Sequence, residues 1–194
     1  WNNHEGLTAE VPIITDYPEE EGYLTQTFGP LDYWYGKHSI RDRIGSWTRD
    51  AEILRPLSRT SLPKIREAKI YENDASIINQ AQTWMNSVKS QAHPFMLYLT
   101  TGLVHPGFEV RQKYIDRLNL DHLQLPPRDD NQHPVLNYQW VTKNSNRNLP
   151  DSMILEIRKV YQAMIATLDE LLGDFLEAVK KMGLSDSTYI IFTG

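Results

Sequence analysis

The sequence contains no cysteine. That excludes a disulfide framework, thiolate zinc sites and a cysteine nucleophile within its 194 residues, though it does not choose a compartment. Long apolar runs are also missing. Nothing approaches the roughly 18 consecutive apolar residues of a membrane span, so none is expected. A basic excess is absent as well: 20 Lys and Arg stand against 25 Asp and Glu, a net charge of −5. A dedicated nucleic-acid binder normally shows a basic face, so nucleic acid is not an expected partner. There is no internal repeat, no glycine-rich phosphate loop, no serine nucleophile elbow and no His-x-x-x-His pair. What is present is core material. Apolar and aromatic residues make up 40% of a 22.5 kDa chain. A folded monomer of that size buries about 70% of the surface its unfolded chain exposes, so whole-chain disorder is a poor reading.

The pattern along the chain is α/β. Residues 1–21 read as loop with a short helix. Tyr23 to Phe28 alternates apolar and polar and is stopped by Gly29-Pro30, a strand ending in a turn. Asn73 or Asp74 is positioned to cap a helix running to about Ala92, with Ile77, Ile78, Ala81, Trp84, Met85 and Val88 at helical spacing. Pro94 then hands over to the apolar strand Phe95 to Thr100. A short helix is expected over Arg111–Leu118, and residues 119–150 are poorly patterned. From Ser152 to Met182 one wide apolar face predicts a long helix, closed by Lys180, Lys181 and Gly183. The run Thr188 to Thr193 reads as a strand buried on both faces, closed by Gly194. Such a strand needs neighbours, and the chain opens on Trp1 rather than Met. The expectation is therefore an internal piece of a larger domain.

Few residues stand out for chemistry. His105 follows the carboxyl end of an apolar strand, beside Pro106 and Gly107. A histidine there can donate to an anionic oxygen or protonate a leaving group. Equally, it can be a loop histidine bonded to a backbone carbonyl. Lys37 and His38 lie in an aromatic-rich loop with Asp32, Tyr33, Trp34 and Tyr35. The pair can hold a sulfate or phosphate oxygen through charge-assisted hydrogen bonds, or be a solvated surface pair. His4, His93, His122 and His133 have no context that raises them above loop residues.

Three blocks resemble the sulfatases of the alkaline-phosphatase-like superfamily. One is Pro94-Phe95-Met96-Leu97-Tyr98-Leu99 followed by His105-Pro106. The second is Tyr161-Gln162-Ala163-Met164-Ile165-Ala166-Thr167-Leu168-Asp169 with Gly173. The third is Gly183-Leu184 and the run to Gly194. The blocks Leu31-Asp32-Tyr33 and Trp47-Thr48-Arg49-Asp50 are similar to a subgroup acting on 2-sulfated uronates of glycosaminoglycans.

The resemblance implies the family's α/β fold, with helices on both faces of a mixed sheet, and a sulfuric ester hydrolase. It places residues 1–194 in the central part of the catalytic domain. It implies a sulfated saccharide substrate, a lysosomal or secreted parent, and calcium and formylglycine as the parent's cofactors. The formylglycine precursor would precede residue 1 and calcium ligands would follow residue 194, leaving no metal ligand and no activity in this chain alone. His105 is the implied catalytic and sulfate-contacting residue, with His38 a second catalytic candidate. The family reads Phe-Gly-Lys where this sequence reads Phe28-Gly29-Pro30. Pro30 has no hydrogen to donate, which leaves Lys37 as the candidate substrate-binding cation. Two other readings stay open: a non-catalytic glycan-binding relative, and a phosphodiesterase of the same superfamily.

Overall fold

A computed structural model describes residues 12–29, 64–65, 69–105, 108–127, 133–142 and 150–193. The chain divides into two compact units. One comprises Trp1–Trp47, Lys69–Leu103 and Leu168–Gly194, the other Thr48–Ala68 and Val104–Thr167.

The first unit is built on a parallel strand pair. A short helix, α1 (Asp16–Glu20), leads into β1 (Leu24–Phe28), which pairs with β3 (Phe95–Leu99) in the register Leu24↔Phe95 to Phe28↔Leu99. Parallel strands need a crossover, and here it contains the helix α2 (Lys69–Val88). On α2 the residues Ile78, Ala81, Met85 and Val88 are buried at spacings that keep them on one face. Trp84 packs edge-on against Phe28 and Phe95, with ring centroids 6.4 and 5.7 Å apart. Helix and strands are thus joined by an aromatic cluster at both ends of the ladder.

The expected strands at 23–28 and 95–100 are found to within a residue. The helix is shifted: it begins at Lys69 and ends at Val88, so neither Asn73 nor Asp74 is its cap. After Val88 the backbone tightens, Gln91 N donating to Val88 O at 2.9 Å, and Pro94 then starts the next strand.

At the carboxyl ends of the two strands the backbones come close together. Thr100 N donates to Phe28 O at 2.9 Å. Gly29 follows Phe28 with φ of 101°, and a Cβ at this position would lie 1.9 Å from Thr100 O. Only glycine both adopts that backbone and leaves room for the neighbouring carbonyl.

The long helix expected over 152–182 is α5 (Asp151–Lys181). Its buried seam is narrower than the apolar pattern suggests. Val160, Ala163, Met164, Thr167, Leu171, Phe175 and Val179 are buried, whereas Tyr161, Ile165 and Leu176 are 40 to 46% exposed. The buried Thr167 hydroxyl donates to Ala163 O, one turn back, so it carries no unmet polar cost. The helix stops as the sequence predicts. Gly183 has φ of 74°, Gly183 N donates to Lys180 O, and Leu184 N donates to Val179 O. That is a Schellman ending.

One expectation is corrected. Residues 188–193 form no strand, and Tyr189, Ile191 and Phe192 are 99, 85 and 72% exposed. Apolar composition supplies the propensity for a strand, but the ladder needs a neighbour's amides and carbonyls, and no described strand runs alongside.

In the second unit β2 (Lys64–Ile65) pairs in parallel with β4 (Glu109–Val110). The helix α3 (Gln112–Ile115) falls inside the expected Arg111–Leu118 and buries Tyr114 fully, with the Lys113 ammonium 4.5 Å from its ring centre. A 3-10 turn spans Leu120–His122. The helix α4 (Pro134–Thr142) was not expected from the pattern. Its residues from Pro134 to Tyr138 are exposed. Its signal is terminal instead: Pro134 in the first turn, and His133, whose Nδ1 accepts from Val135 N at 3.3 Å.

Gly29→Ala is expected to lower stability by about 2–4 kcal/mol, from the left-handed backbone and the clash with Thr100 O together. Urea unfolding measures this, and an unchanged midpoint would contradict the close approach of β1 and β3.

Candidate functional site

The carboxyl edge of a parallel pair is where open α/β sheets build their sites. Here β3 runs into Thr100, Thr101, Gly102, Leu103, Val104 and His105. Residues 100–103 are held tightly. The Thr101 hydroxyl donates to Leu103 O at 3.2 Å. Gly102 N donates to Asp74 Oδ1 and Leu103 N to Asp74 Oδ2, each at 2.8 Å. Leu103 is 7% exposed and Asp74 1%.

Asp74 was one of two expected caps of its own helix, with Asn73. Its carboxylate instead reaches out of α2 and takes the two amides of the turn after β3, one on each oxygen. A charged residue on the apolar face of a helix, four before Ile78 and seven before Ala81, was the sequence signal for such a role. Burial pushes the Asp74 carboxyl above its ordinary 3.8, against the two amide bonds that pull it down.

His105 lies past the anchored turn and is exposed. His93 is at the opposite end of β3, His122 belongs to the 3-10 turn, and His133 begins α4, so none of these three shares a described element with His105. Lys37, His38 and Pro30 lie outside the described residues. Among the described residues no group of three or more His, Asp or Glu is placed to hold a metal ion. No described helix is long and apolar enough to cross a membrane.

Two hollows among the described residues of the first unit lie elsewhere. One runs between α2 and α5, lined by Ile78, Gln82, Leu171, Asp174 and Lys181, and the other lies against Phe28 and Trp84. Neither contains a histidine, and the anchored turn after β3 remains the better candidate because its amides are deliberately held.

Residues 2–194 match the family profile described as Sulfatase. The chain belongs to the sulfatase family. Its α/β architecture is accordingly the alkaline-phosphatase-like fold of that family. Along its whole length the chain is 32% identical to Arylsulfatase K of Bos taurus and of Canis lupus familiaris, and 31% identical to that of Homo sapiens. It covers 39, 40 and 40% of those three proteins. The chain thus spans about two fifths of the length of the relatives it matches.

Asp74→Ala leaves two inward amides without an acceptor, and a loss of about 1–3 kcal/mol for each orphaned group is expected at neutral pH. Asp74→Asn is expected to change the pH profile. With the folded carboxyl raised above 3.8, the proton binds the folded state more tightly than the unfolded chain. The extra stability that protonating Asp74 gives the folded state is therefore fully present below pH 3.8 and is lost as pH rises through the raised value, while the two amide bonds remain at neutral pH. Wild type should show that decline in urea unfolding at a series of pH values, and Asp74→Asn should lack it. Parallel curves would refute the assignment.

Proposed function

We propose that the full-length protein is a sulfuric ester hydrolase acting on 2-sulfated uronates of glycosaminoglycans, in a lysosomal or secreted setting. The observation that carries this reading is the sulfatase match across residues 2–194, together with identity to Arylsulfatase K along the whole chain. Hydrolysis breaks the bond between sulfur and the sugar oxygen, adds water, and releases sulfate and the alcohol. The negative charge on the sulfate oxygens must be held as the leaving oxygen gains a proton.

His105 is suited to that work. Its imidazole N–H donates to a sulfate oxygen, and in the charged form the bond is charge-assisted. It follows a turn whose amides are fixed by Asp74, so its backbone enters from an ordered segment. Lys37 and His38 are proposed as the further cationic groups of the site.

Calcium and formylglycine are proposed as the cofactors of the full-length protein, where they supply charge neutralisation and an oxygen nucleophile. There is no cysteine from which to make formylglycine, and the described residues offer no cluster of metal ligands. No residue here is therefore assigned to hold them, and the isolated 194-residue chain is expected not to turn over an aryl sulfate.

Pro30 favours a second reading. It stands where the resemblance calls for a lysine donor, and a sulfatase-fold protein that binds acidic glycans without cleaving them would tolerate that loss. A phosphodiesterase of the same superfamily is a third, less favoured reading.

Full-length protein given matched 2-sulfated uronate and 6-sulfated glucosamine saccharides is expected to cleave the uronate sulfate faster. Preference for glucosamine overturns the substrate, and saturable binding without sulfate release supports the non-catalytic reading. His105→Ala is expected to lower turnover by about 10²-fold or more, the usual scale for a group that assists proton transfer or charge stabilisation. Unchanged turnover removes His105 from the site.

A further inference from the structure

We propose that Arg158, on α5, binds an anionic group of an acidic saccharide, a carboxylate or a sulfate beside the one that is hydrolysed. The choice of ligand rests on the proposed sulfatase activity. The residues that carry the assignment all belong to the second unit.

Arg158 is half-buried, and its Nε is shut off from water with no hydrogen-bond partner among the described residues. A charged donor in that state has lost hydration without a compensating bond. The helix itself offers no relief. A carboxylate on α5 reaches Arg158 from three or four positions away, and those positions hold Ile154, Leu155, Tyr161 and Gln162. Glu156 is two positions away, off that face, and is ion-paired with Lys159. The neighbouring cation is thus satisfied within the helix, and the Arg158 guanidinium is not.

The surroundings favour an oxyanion. Ile154, Arg158, Tyr161 and Ile165 follow one another at spacings of four, three and four, which sets them on one face of α5. Tyr161 and Ile165 are 40 and 46% exposed. The Phe108 ring stands edge-on to Tyr161, with centroids 6.4 Å apart and planes at 72°. Phe108 follows His105 by three residues, so the segment leaving that histidine packs on this face. Apolar and aromatic groups lower the local dielectric, and a charge-assisted bond gains strength there. The guanidinium offers Nε–H and a terminal N–H as a planar fork that matches two oxygens of a carboxylate or sulfate. Turning about its flexible stem presents that edge to a ligand. Because part of its hydration is already lost, less remains to be removed on binding. A neutral ligand leaves the charge uncompensated, so the complement of this face is an anion.

The test uses the full-length protein with two probes, a 2-sulfated uronate oligosaccharide and an aryl sulfate that carries no second anionic group. Arg158→Ala is expected to raise KM for the oligosaccharide about 10- to 100-fold with kcat within about threefold, the pattern of lost binding. Aryl sulfate turnover is expected to stay within about threefold of wild type. The penalty is expected to vanish on either the carboxyl-reduced or the desulfated oligosaccharide, which tells which group fills the fork. A penalty that persists on a neutral saccharide overturns the proposal. So does an unchanged KM with a lowered unfolding temperature, the result expected if Arg158 pairs with a carboxylate of the protein itself. Should Arg158→Ala fail to fold, Arg158→Lys keeps the charge and stem but loses the fork, and it is expected to raise KM at least about threefold. Wild-type protein that cleaves neither probe fails the sulfatase reading alone. Calorimetric binding of the uncleaved oligosaccharide then decides this proposal: weaker binding by Arg158→Ala upholds it, and equal binding, or none by wild type, overturns it.

Discussion

The described part of the first unit depends on the close approach of β1 and β3 at their carboxyl ends. Their parallel ladder runs from Leu24↔Phe95 to Phe28↔Leu99, and the backbone after it is so tight that only Gly29 fits beside Thr100. A parallel pair cannot close by a short turn, so the register joins residues far apart in sequence. The aromatic contacts of Trp84 with Phe28 and Phe95 tie α2 to both strands. Once that register is set, the chain leaving β3 emerges next to the chain leaving β1. This is the geometry at which α/β sheets hold their ligands.

The second constraint is electrostatic. Burying a carboxylate costs free energy that a packed methyl group would not, and Asp74 offsets it with two backbone amides rather than with a cation. The raised carboxyl shows that desolvation outweighs the amide bonds in its local balance. Such an arrangement places order where a loop would otherwise be loose. It follows that the segment from Thr100 to Leu103 is part of the scaffold rather than of the variable surface, although it has no regular secondary structure.

Membership of the sulfatase family rests on the match over residues 2–194, and the relatives named Arylsulfatase K extend well beyond the region this chain covers. The described residues contribute one histidine after an anchored turn and no metal cluster. Tyr189, Ile191 and Phe192 have strand-forming side chains and no ladder among the described residues.

The sequence by itself determined the periodic elements. Alternation fixed β1, a continuous apolar run fixed β3, and a heptad-like stripe with Gly183 at its end fixed α5, because those signals are local. It also carried the family resemblance, on blocks such as Phe95 to His105 and Tyr161 to Asp169. Only the tertiary structure decided the rest. It narrowed the apolar face of α5 to one seam, leaving Tyr161, Ile165 and Leu176 partly exposed. It showed α4, in a stretch that the sequence pattern left unassigned. It withheld a strand from 188–193, since pairing is a property of two segments. And it moved Asp74 from helix cap to buried clamp, because its partners, Gly102 and Leu103, are distant in sequence and are brought within reach only by the fold of α2 against β3.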